Sequence, residues 1–191
     1  YESLKDRGKE PGPEDFGRNR ERLVERQIRY VPVNLREAVF ILSAMGRFTD
    51  RLYQLLAEKI PQLPCKGGTE YELLTHLTYI QEEDGGWSIQ RSVADILSEK
   101  LPSATRELVT EVLFQIADRK FQGSHGEDLE EESLDALYVL FEMDGEKHPS
   151  PRLASAMTDR AKEEQRKRHF ASSAEWQLRG VEMWKRLGDC P

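Results

Sequence analysis

Apolar side chains recur every three to four residues along most of this chain, and that spacing restricts the fold to packed helices. Two stretches show it most clearly, one over residues 34–61 and one over residues 69–102. Each stretch divides into two amphipathic helices, and the second helices end alike, in LLAEKIP at 55–61 and ILSEKLP at 96–102. The pattern therefore predicts two related helical hairpins, in which every helix buries one apolar stripe.

The apolar stripes of the two hairpins align at nearly constant offsets. The first helices align at an offset of 35 residues and the second helices at 41, so the second hairpin has a longer turn. A two-helix unit of about 35 residues is the size of a helical solenoid repeat. The aligned pairs are Ala38 with Leu73, Val39 with Leu74, Leu42 with Leu77, Met45 with Ile80, Leu52 with Val93, Leu55 with Ile96, Leu56 with Leu97 and Ile60 with Leu101.

The rest of the chain continues the helical pattern less regularly and shows no convincing strand. Further helices are predicted over residues 14–30, 105–121, 133–143, 151–170 and 172–187. The expected fold is all-α, a right-handed stack of antiparallel helical hairpins resembling an α-solenoid, with about nine helices. Residues 1–13 are predicted to be an irregular arm, because they combine charge, glycine and proline without periodicity, and residues 14–191 to be a single all-helical, repeat-like domain.

Charge is distributed unevenly along the chain. Residues 67–149 hold 6 Lys and Arg against 19 Asp and Glu, a net charge of −13. Residues 1–66 and residues 150–191 each carry a net charge of +3. Because an acidic surface repels nucleic acid, any phosphate contact is expected at the two ends, and protein neighbours are expected at the middle.

Two basic clusters are candidates for contact with RNA phosphates. The first lies at helical spacing near the start of the chain, and the second lies near residue 167. An ordinary exposed helix face with ion pairs to Glu21 and Glu25 is the alternative for the first cluster. The candidate residues are Arg18, Arg22, Arg26 and Arg29 in the first cluster, and Arg166, Lys167 and Arg168 in the second.

Two further groups of residues are candidates for docking another protein. One is an acidic run, for which a solvated loop that begins the next helix with negative charge is the alternative. The other is a pair of tryptophans eight residues apart on the last helix, for which packing in the core is the alternative. The residues are Glu127, Asp128, Glu130, Glu131 and Glu132 in the acidic run, with Trp176 and Trp184 on the last helix.

The sequence lacks the signatures of an enzyme or a cofactor site. It contains no GxSxG, GxxxxGK[ST], HExxH or GxGxxG pattern. Cys65 and Cys190 show neither zinc spacing nor a disulfide framework, and His76 with Glu72 offers only one pair of possible metal ligands. We therefore expect no catalytic residues, cofactor, metal, small-molecule substrate or membrane span.

The stretch LREAVFILSAMGRFTDRLYQLLAEKI, residues 35–60, resembles the helix-turn-helix units of the heptatricopeptide and octatricopeptide class found in FAST-kinase-domain and RAP-domain proteins. Residues 70–101 are similar to the same units, with a longer turn. The resemblance implies residence in mitochondria or plastids and work on RNA, as processing factors or as components of organellar ribosomes. It also implies a basic concave face where such repeats grip RNA, from which the acidic residues 67–149 depart.

Three functions are therefore compared. The first is a non-enzymatic structural subunit of a large organellar assembly, foremost a ribonucleoprotein such as the mitochondrial ribosome, which binds protein neighbours and reaches RNA through its basic ends. The second is a stand-alone organellar RNA-binding or processing factor. The third is a cytoplasmic protein-protein adaptor of tetratricopeptide type.

Overall fold

A computed structural model of the chain describes residues 13–83, 86–123, 129–144 and 150–188. These residues form nine α-helices, a short 3-10 helix at Val33–Leu35 and three strands. The helices are α1 (Pro13–Tyr30), α2 (Arg36–Met45), α3 (Asp50–Ala57), α4 (Thr69–Thr75), α5 (Arg91–Ser98), α6 (Ser103–Ala117), α7 (Glu130–Asp144), α8 (Pro151–Arg166) and α9 (Phe170–Leu187). The strands are β1 (Arg47–Thr49), β2 (Ile80–Glu83) and β3 (Gly86–Ile89).

The three strands form one antiparallel sheet in the order β1-β3-β2, so the expectation of a chain without strands is corrected. Strands β2 and β3 form a hairpin in which Ile80 lies opposite Ile89. Strand β1 adds to its edge, with Phe48 opposite Trp87. Helix α4 ends at Thr75 and Ile80 lies in β2, so the helix predicted to continue through Ile80 is wrong beyond Thr75. A β-hairpin takes the place of its second half and of the predicted turn, which accounts for the longer offset between the second helices.

The mostly helical architecture is confirmed, but a solenoid stack is not. Helix α2 packs on α5, so the first helix of one predicted hairpin contacts the second helix of the other. Helices α6 and α7 pack together, as do α8 and α9, and α7 contacts α2, α3 and α8. One apolar core joins all of these helices and the sheet, because the buried side chains form a single contiguous cluster.

The predicted apolar stripes are largely buried. Leu42, Leu52 and Leu97 are each at most 1% exposed. Three leucines at stripe spacing instead face outward, since Leu23 in α1 is 62% exposed, Leu73 in α4 is 50% exposed and Leu108 in α6 is 38% exposed. Each of these leucines precedes a buried residue by one position, and 100° of helical rotation is enough to separate the two faces.

Side-chain caps fix the N-terminal ends of α3 and α8. Thr49 Oγ1 accepts a hydrogen bond from the backbone N–H of Leu52 at 3.2 Å, as its position before α3 predicts. Ser150 Oγ accepts one from the N–H of Leu153 at 3.1 Å, with Pro151 in the first turn of α8. These caps fix the starting points of helices whose side chains build the core.

Candidate interaction surfaces

Helix α1 is attached to the rest of the protein along one narrow face. Val24 and Ile28 are buried at 4% and 9% exposure, and Val31 beyond the helix is buried at 3%. The helix packs on α5, and Lys100 Nζ lies 2.9 Å from the carboxylate of Glu25. This one-sided attachment leaves the opposite face of α1 open to solvent.

The open face of α1 is basic and carries an aromatic ring. Arg22, Arg26 and Arg29 are all exposed, and the Tyr30 side chain is 79% exposed. Their spacing of four, three and one residues keeps them opposite the buried Val24. We call this set, Arg22, Arg26, Arg29 and Tyr30, the α1 face; Arg18 belongs to the same helix, but its side chain lies outside the described residues.

Glu25, an acidic residue beside the α1 face, is already engaged. Lys100 donates a hydrogen bond to Glu25, and that bond with the adjacent positive charge lowers the pKa of the Glu25 carboxyl. Arg22 and Arg29 lower the same pKa to a lesser extent. The strongest partner of Glu25 is thus Lys100, on the loop after α5, rather than an arginine of the α1 face.

The second basic cluster lies where α8 turns into α9. Lys167 forms ion pairs with Glu130 and Glu163, so its charge is compensated within the protein. Arg166 and Arg168 are exposed and form no ion pair with any described residue. The turn between α8 and α9 therefore presents two arginines to a partner, rather than the three basic side chains that were predicted.

The two basic clusters are not brought together by the fold. Glu25 of α1 pairs with Lys100, just before α6 begins, whereas Glu163 beside the second cluster pairs with Arg119, just after α6 ends. Helix α6 has 15 residues, and at 1.5 Å per residue it is about 22 Å long. The clusters consequently lie at opposite ends of α6 and are independent candidate contacts.

The predicted acidic docking run does not form a continuous surface among the described residues. Glu127 and Asp128 lie outside them, and Glu130 is held by Lys167 and Arg160. Glu132 is 2% exposed and forms an ion pair with Arg51 of α3. Helix α7 begins at Glu130 and turns Glu132 toward the core, so within this acidic run only Glu131 of the described residues is exposed and outside an ion pair.

The two tryptophans of α9 belong to the packed interior. Trp176 is 1% exposed, and its ring centroid lies 4.7 Å from that of Tyr138. Trp184 is partly buried against the same core. Trp176 is therefore placed as the core alternative expects, while the outward side of α9 carries Phe170 and Leu178, which are 65% and 71% exposed; docking through Trp184 stays a prediction.

A groove of about 1050 Å³ is a further feature, which the sequence patterns did not reveal. It lies among the C-terminal ends of α2 and α7, the end of β3, and helices α5 and α6. Its apolar floor includes Met45, Ile89 and Phe141. The charged side chains that line it are Asp95, Glu99, Glu107, Glu111 and Glu142 against Arg47, Arg91 and Arg106.

Two further kinds of site, a metal centre and a membrane-spanning helix, are absent from the described part of the chain. No group of three His, Cys, Asp or Glu side chains there is placed to hold a metal ion. No helix in the described ranges is long and apolar enough to cross a membrane. Comparison of the chain with protein families, curated proteins and solved structures finds no match in any of the three. Functional conclusions consequently rest on the surfaces themselves.

Proposed function

We propose that this protein is a non-enzymatic helical subunit of a large organellar ribonucleoprotein, which contacts RNA through the α1 face and neighbouring proteins through its acidic middle. The observation that carries the proposal is the α1 face, on which three arginines and an exposed tyrosine lie opposite a buried apolar edge. The organellar setting, foremost the mitochondrion, derives from the resemblance of residues 35–60 to heptatricopeptide and octatricopeptide units.

The chemistry of the α1 face suits RNA. Guanidinium groups form bidentate hydrogen bonds with phosphate oxygens, and arginines one helical turn apart can follow successive phosphates of one strand. Tyr30 lies one turn from Arg26 and is 79% exposed, so its ring is available for stacking on an unpaired base. The combination favours single-stranded RNA over a duplex, whose bases are already stacked.

The size of the α1 face favours a subunit over a stand-alone factor. Three arginines neutralise about three phosphates, which gives weak and strongly salt-dependent binding. Such a contact becomes effective when other interfaces hold the protein beside the RNA, because the second binding event is then intramolecular. A stand-alone processing factor would instead need a longer basic surface than this helix provides.

The proposal is tested by measuring fluorescence anisotropy of a labelled 12-nucleotide oligo(U) and of a 12-base-pair RNA duplex with the 191-residue chain. At 50 mM salt we expect the single strand to bind more tightly than the duplex. Tyr30→Ala should weaken single-strand binding about fivefold or more, since stacking contributes about 1–3 kcal/mol per base. The matched control is Phe170→Ala, which removes an aromatic ring that is 65% exposed from α9 and should leave binding unchanged.

Two outcomes would count against the proposal. Absence of RNA binding at low salt would remove the α1 face as an RNA contact and favour a protein-protein adaptor. Tight binding that persists at 300 mM salt would instead indicate a stand-alone RNA-binding factor, because three phosphate contacts cannot sustain it.

A further inference from the structure

We infer that the groove between α5, α6 and the end of α7 binds a basic, amphipathic helical segment of a neighbouring protein. The inference deepens the proposed function by naming the protein contact, and it rests on that part of the function which assigns the protein neighbouring subunits. It does not depend on RNA contact through the α1 face, which lies on a different helix.

The dimensions of the groove fit a peptide segment. Its volume of about 1050 Å³ exceeds most small-molecule pockets, which are about 300–1,000 Å³. The groove follows α5, which has 8 residues and is therefore about 12 Å long, so it can accommodate roughly two turns of a partner helix. Of its apolar lining residues, Met45 and Ile89 are 0% and 5% exposed, and the half-buried Phe141 of α7 offers its ring to the apolar stripe of an amphipathic helix.

A polar group in the groove lacks a partner. Ser43 of α2 lines it, is 3% exposed, and its hydroxyl makes no hydrogen bond with any described residue. A buried hydroxyl left without a partner is unfavourable by about 1–3 kcal/mol. A segment in the groove that offers a donor or an acceptor to Ser43 would remove that cost, so this hydroxyl marks a position where a ligand completes the site.

The charge around the groove selects a basic occupant. Asp95, Glu107 and Glu142 are exposed on three different helices and form no ion pair with any described residue. Of the other two carboxylates that line the groove, Glu111 is paired with Arg152 of α8 at 2.6 Å, and Glu99 also has a partner within the protein. Lysine or arginine side chains on the flanks of an amphipathic helix would meet the carboxylates of Asp95, Glu107 and Glu142.

The arginines of the groove give the occupant a direction. Arg106 is tied to the protein, since it donates a hydrogen bond to the carbonyl oxygen of Ser98 at 2.9 Å. Arg47 lies opposite Ser88 in the sheet and Arg91 begins α5, so both lie where β3 ends. A helix C-terminus carries partial negative charge, and this end of the groove is therefore expected to receive the C-terminal end of the bound helix.

The test uses a labelled 15-residue peptide of lysine and leucine with helical periodicity, titrated with the 191-residue chain. A peptide of the same composition with the periodicity scrambled, and a glutamate and leucine peptide with the original periodicity, are the comparison probes. We expect the periodic basic peptide to bind at least tenfold more tightly than either. Equal binding of the scrambled peptide would overturn the proposal, because charge alone would then explain the interaction.

Variants place the binding in the groove. The double variant Glu107→Gln, Glu142→Gln should lower the affinity for the peptide on the order of fivefold. The matched double variant Glu72→Gln, Glu82→Gln changes exposed acidic residues outside the groove and should leave the affinity unchanged. Thr110→Trp fills the groove without changing charge and should weaken binding at least tenfold. Equal loss in the matched pair, or full binding by the filled variant, would contradict the assignment.

Ser43→Ala separates a ligand contact from a structural role. Removal of an unpartnered hydroxyl should leave the melting temperature unchanged or raise it, while peptide affinity falls about two- to tenfold. Parallel loss of stability and affinity would indicate that the serine only supports the fold. Displacement of the peptide by oligo(U), or a dimer in solution that Thr110→Trp dissociates, would assign the groove to RNA or to a second copy and overturn the proposal.

Discussion

Asp50 Oδ1 accepts a hydrogen bond from Trp87 Nε1 at 2.9 Å, which ties the start of α3 to the middle of β3. The same oxygen accepts a second bond from the hydroxyl of Tyr71 at 2.6 Å, and Lys66 lies 2.9 Å from the other carboxylate oxygen. One carboxylate at the first position of α3 thus connects α3, α4 and the sheet.

Replacement of Asp50 by alanine should destabilise the protein by about 1–3 kcal/mol. Two donors would lose their acceptor and α3 would lose a negative charge at its N-terminus, although the site is half-exposed and water replaces part of the loss. Chemical denaturation monitored by circular dichroism measures the change. The control is Asp95→Ala, an exposed aspartate of α5 outside any ion pair with described residues, for which the change should stay within about 0.5 kcal/mol.

The contribution of Asp50 should depend on pH. Burial raises the pKa of its carboxyl, but the hydrogen bonds from Tyr71, Lys66 and Trp87 outweigh burial and lower it below 3.8. A lowered pKa in the folded state gives stability that is present above the unfolded value and is lost as the pH falls through the folded value. The difference between the native chain and Asp50→Ala should therefore shrink between about pH 5 and pH 2. A difference that stays constant would contradict the assignment.

Removal of Arg160 alone should strongly destabilise the fold, whereas removal of Arg160 together with its buried partner Glu164 should not. Arg160 is 6% exposed and lies 2.7 Å from Glu164, whose side chain is 5% exposed. Arg160→Met leaves that carboxylate buried without its main counter-charge, so we expect a loss of about 3–5 kcal/mol. Adding Glu164→Leu should recover most of it, because an apolar pair of similar volume needs no compensation.

The control for this pair is Lys162→Met on the exposed side of the same helix. Lys162 pairs with Asp159 at 3.0 Å, and both side chains are more than half exposed, so its loss should be at most about 1 kcal/mol. A double variant as unstable as Arg160→Met alone would show that the arginine stabilises α8 through contacts other than its ion pair with Glu164.

Gly86→Ala should disrupt the sheet. A Cβ atom at this position would lie 2.6 Å from the carbonyl oxygen of Phe48 and 3.2 Å from Cα of Thr49, so β1 would have to move away from β3. We expect a loss of about 1–3 kcal/mol and faster hydrogen exchange of the β1 and β3 amides, with α8 and α9 unchanged. Ser88→Ala, two residues along the same strand, is the control and should preserve exchange protection.

The helices were predictable because their apolar stripes are long and regular. Leu42, Leu52 and Leu97 each belong to an apolar stripe with helical spacing on a different helix, and the burial of each follows from that period. The α1 face followed from the same rule, since the period that buries Val24 and Ile28 places the arginines on the other side. Whether a segment is helical, and which of its sides is buried, depend mainly on residues within that segment, so one sequence is enough to predict them.

The sheet, the groove and the buried ion pairs could not be predicted in the same way. Strand β1 has 3 residues, too few to show alternation, and it becomes a strand only because β3 lies beside it. The groove combines ends of elements far apart in the chain, and Glu132 is buried because Arg51 of α3 meets it. Each of these features depends on tertiary contacts, which spacing along the chain does not record.

The salt dependence of RNA binding by two charge-matched variants tests the central claim most directly. One variant carries Arg22→Gln, Arg26→Gln and Arg29→Gln on the α1 face. The other carries Lys120→Gln, Lys162→Gln and Lys185→Gln, exposed lysines on other elements, and it loses the same three charges.

Binding of oligo(U) is measured for both variants between 25 and 200 mM salt. If α1 contacts the phosphates, the slope of log K against log salt should be less negative by about two in the arginine variant, since each phosphate contact to a single strand contributes about −0.7. The lysine variant should keep the slope of the native chain. Equal losses in the two variants would contradict the account, because net charge rather than the α1 face would then govern binding.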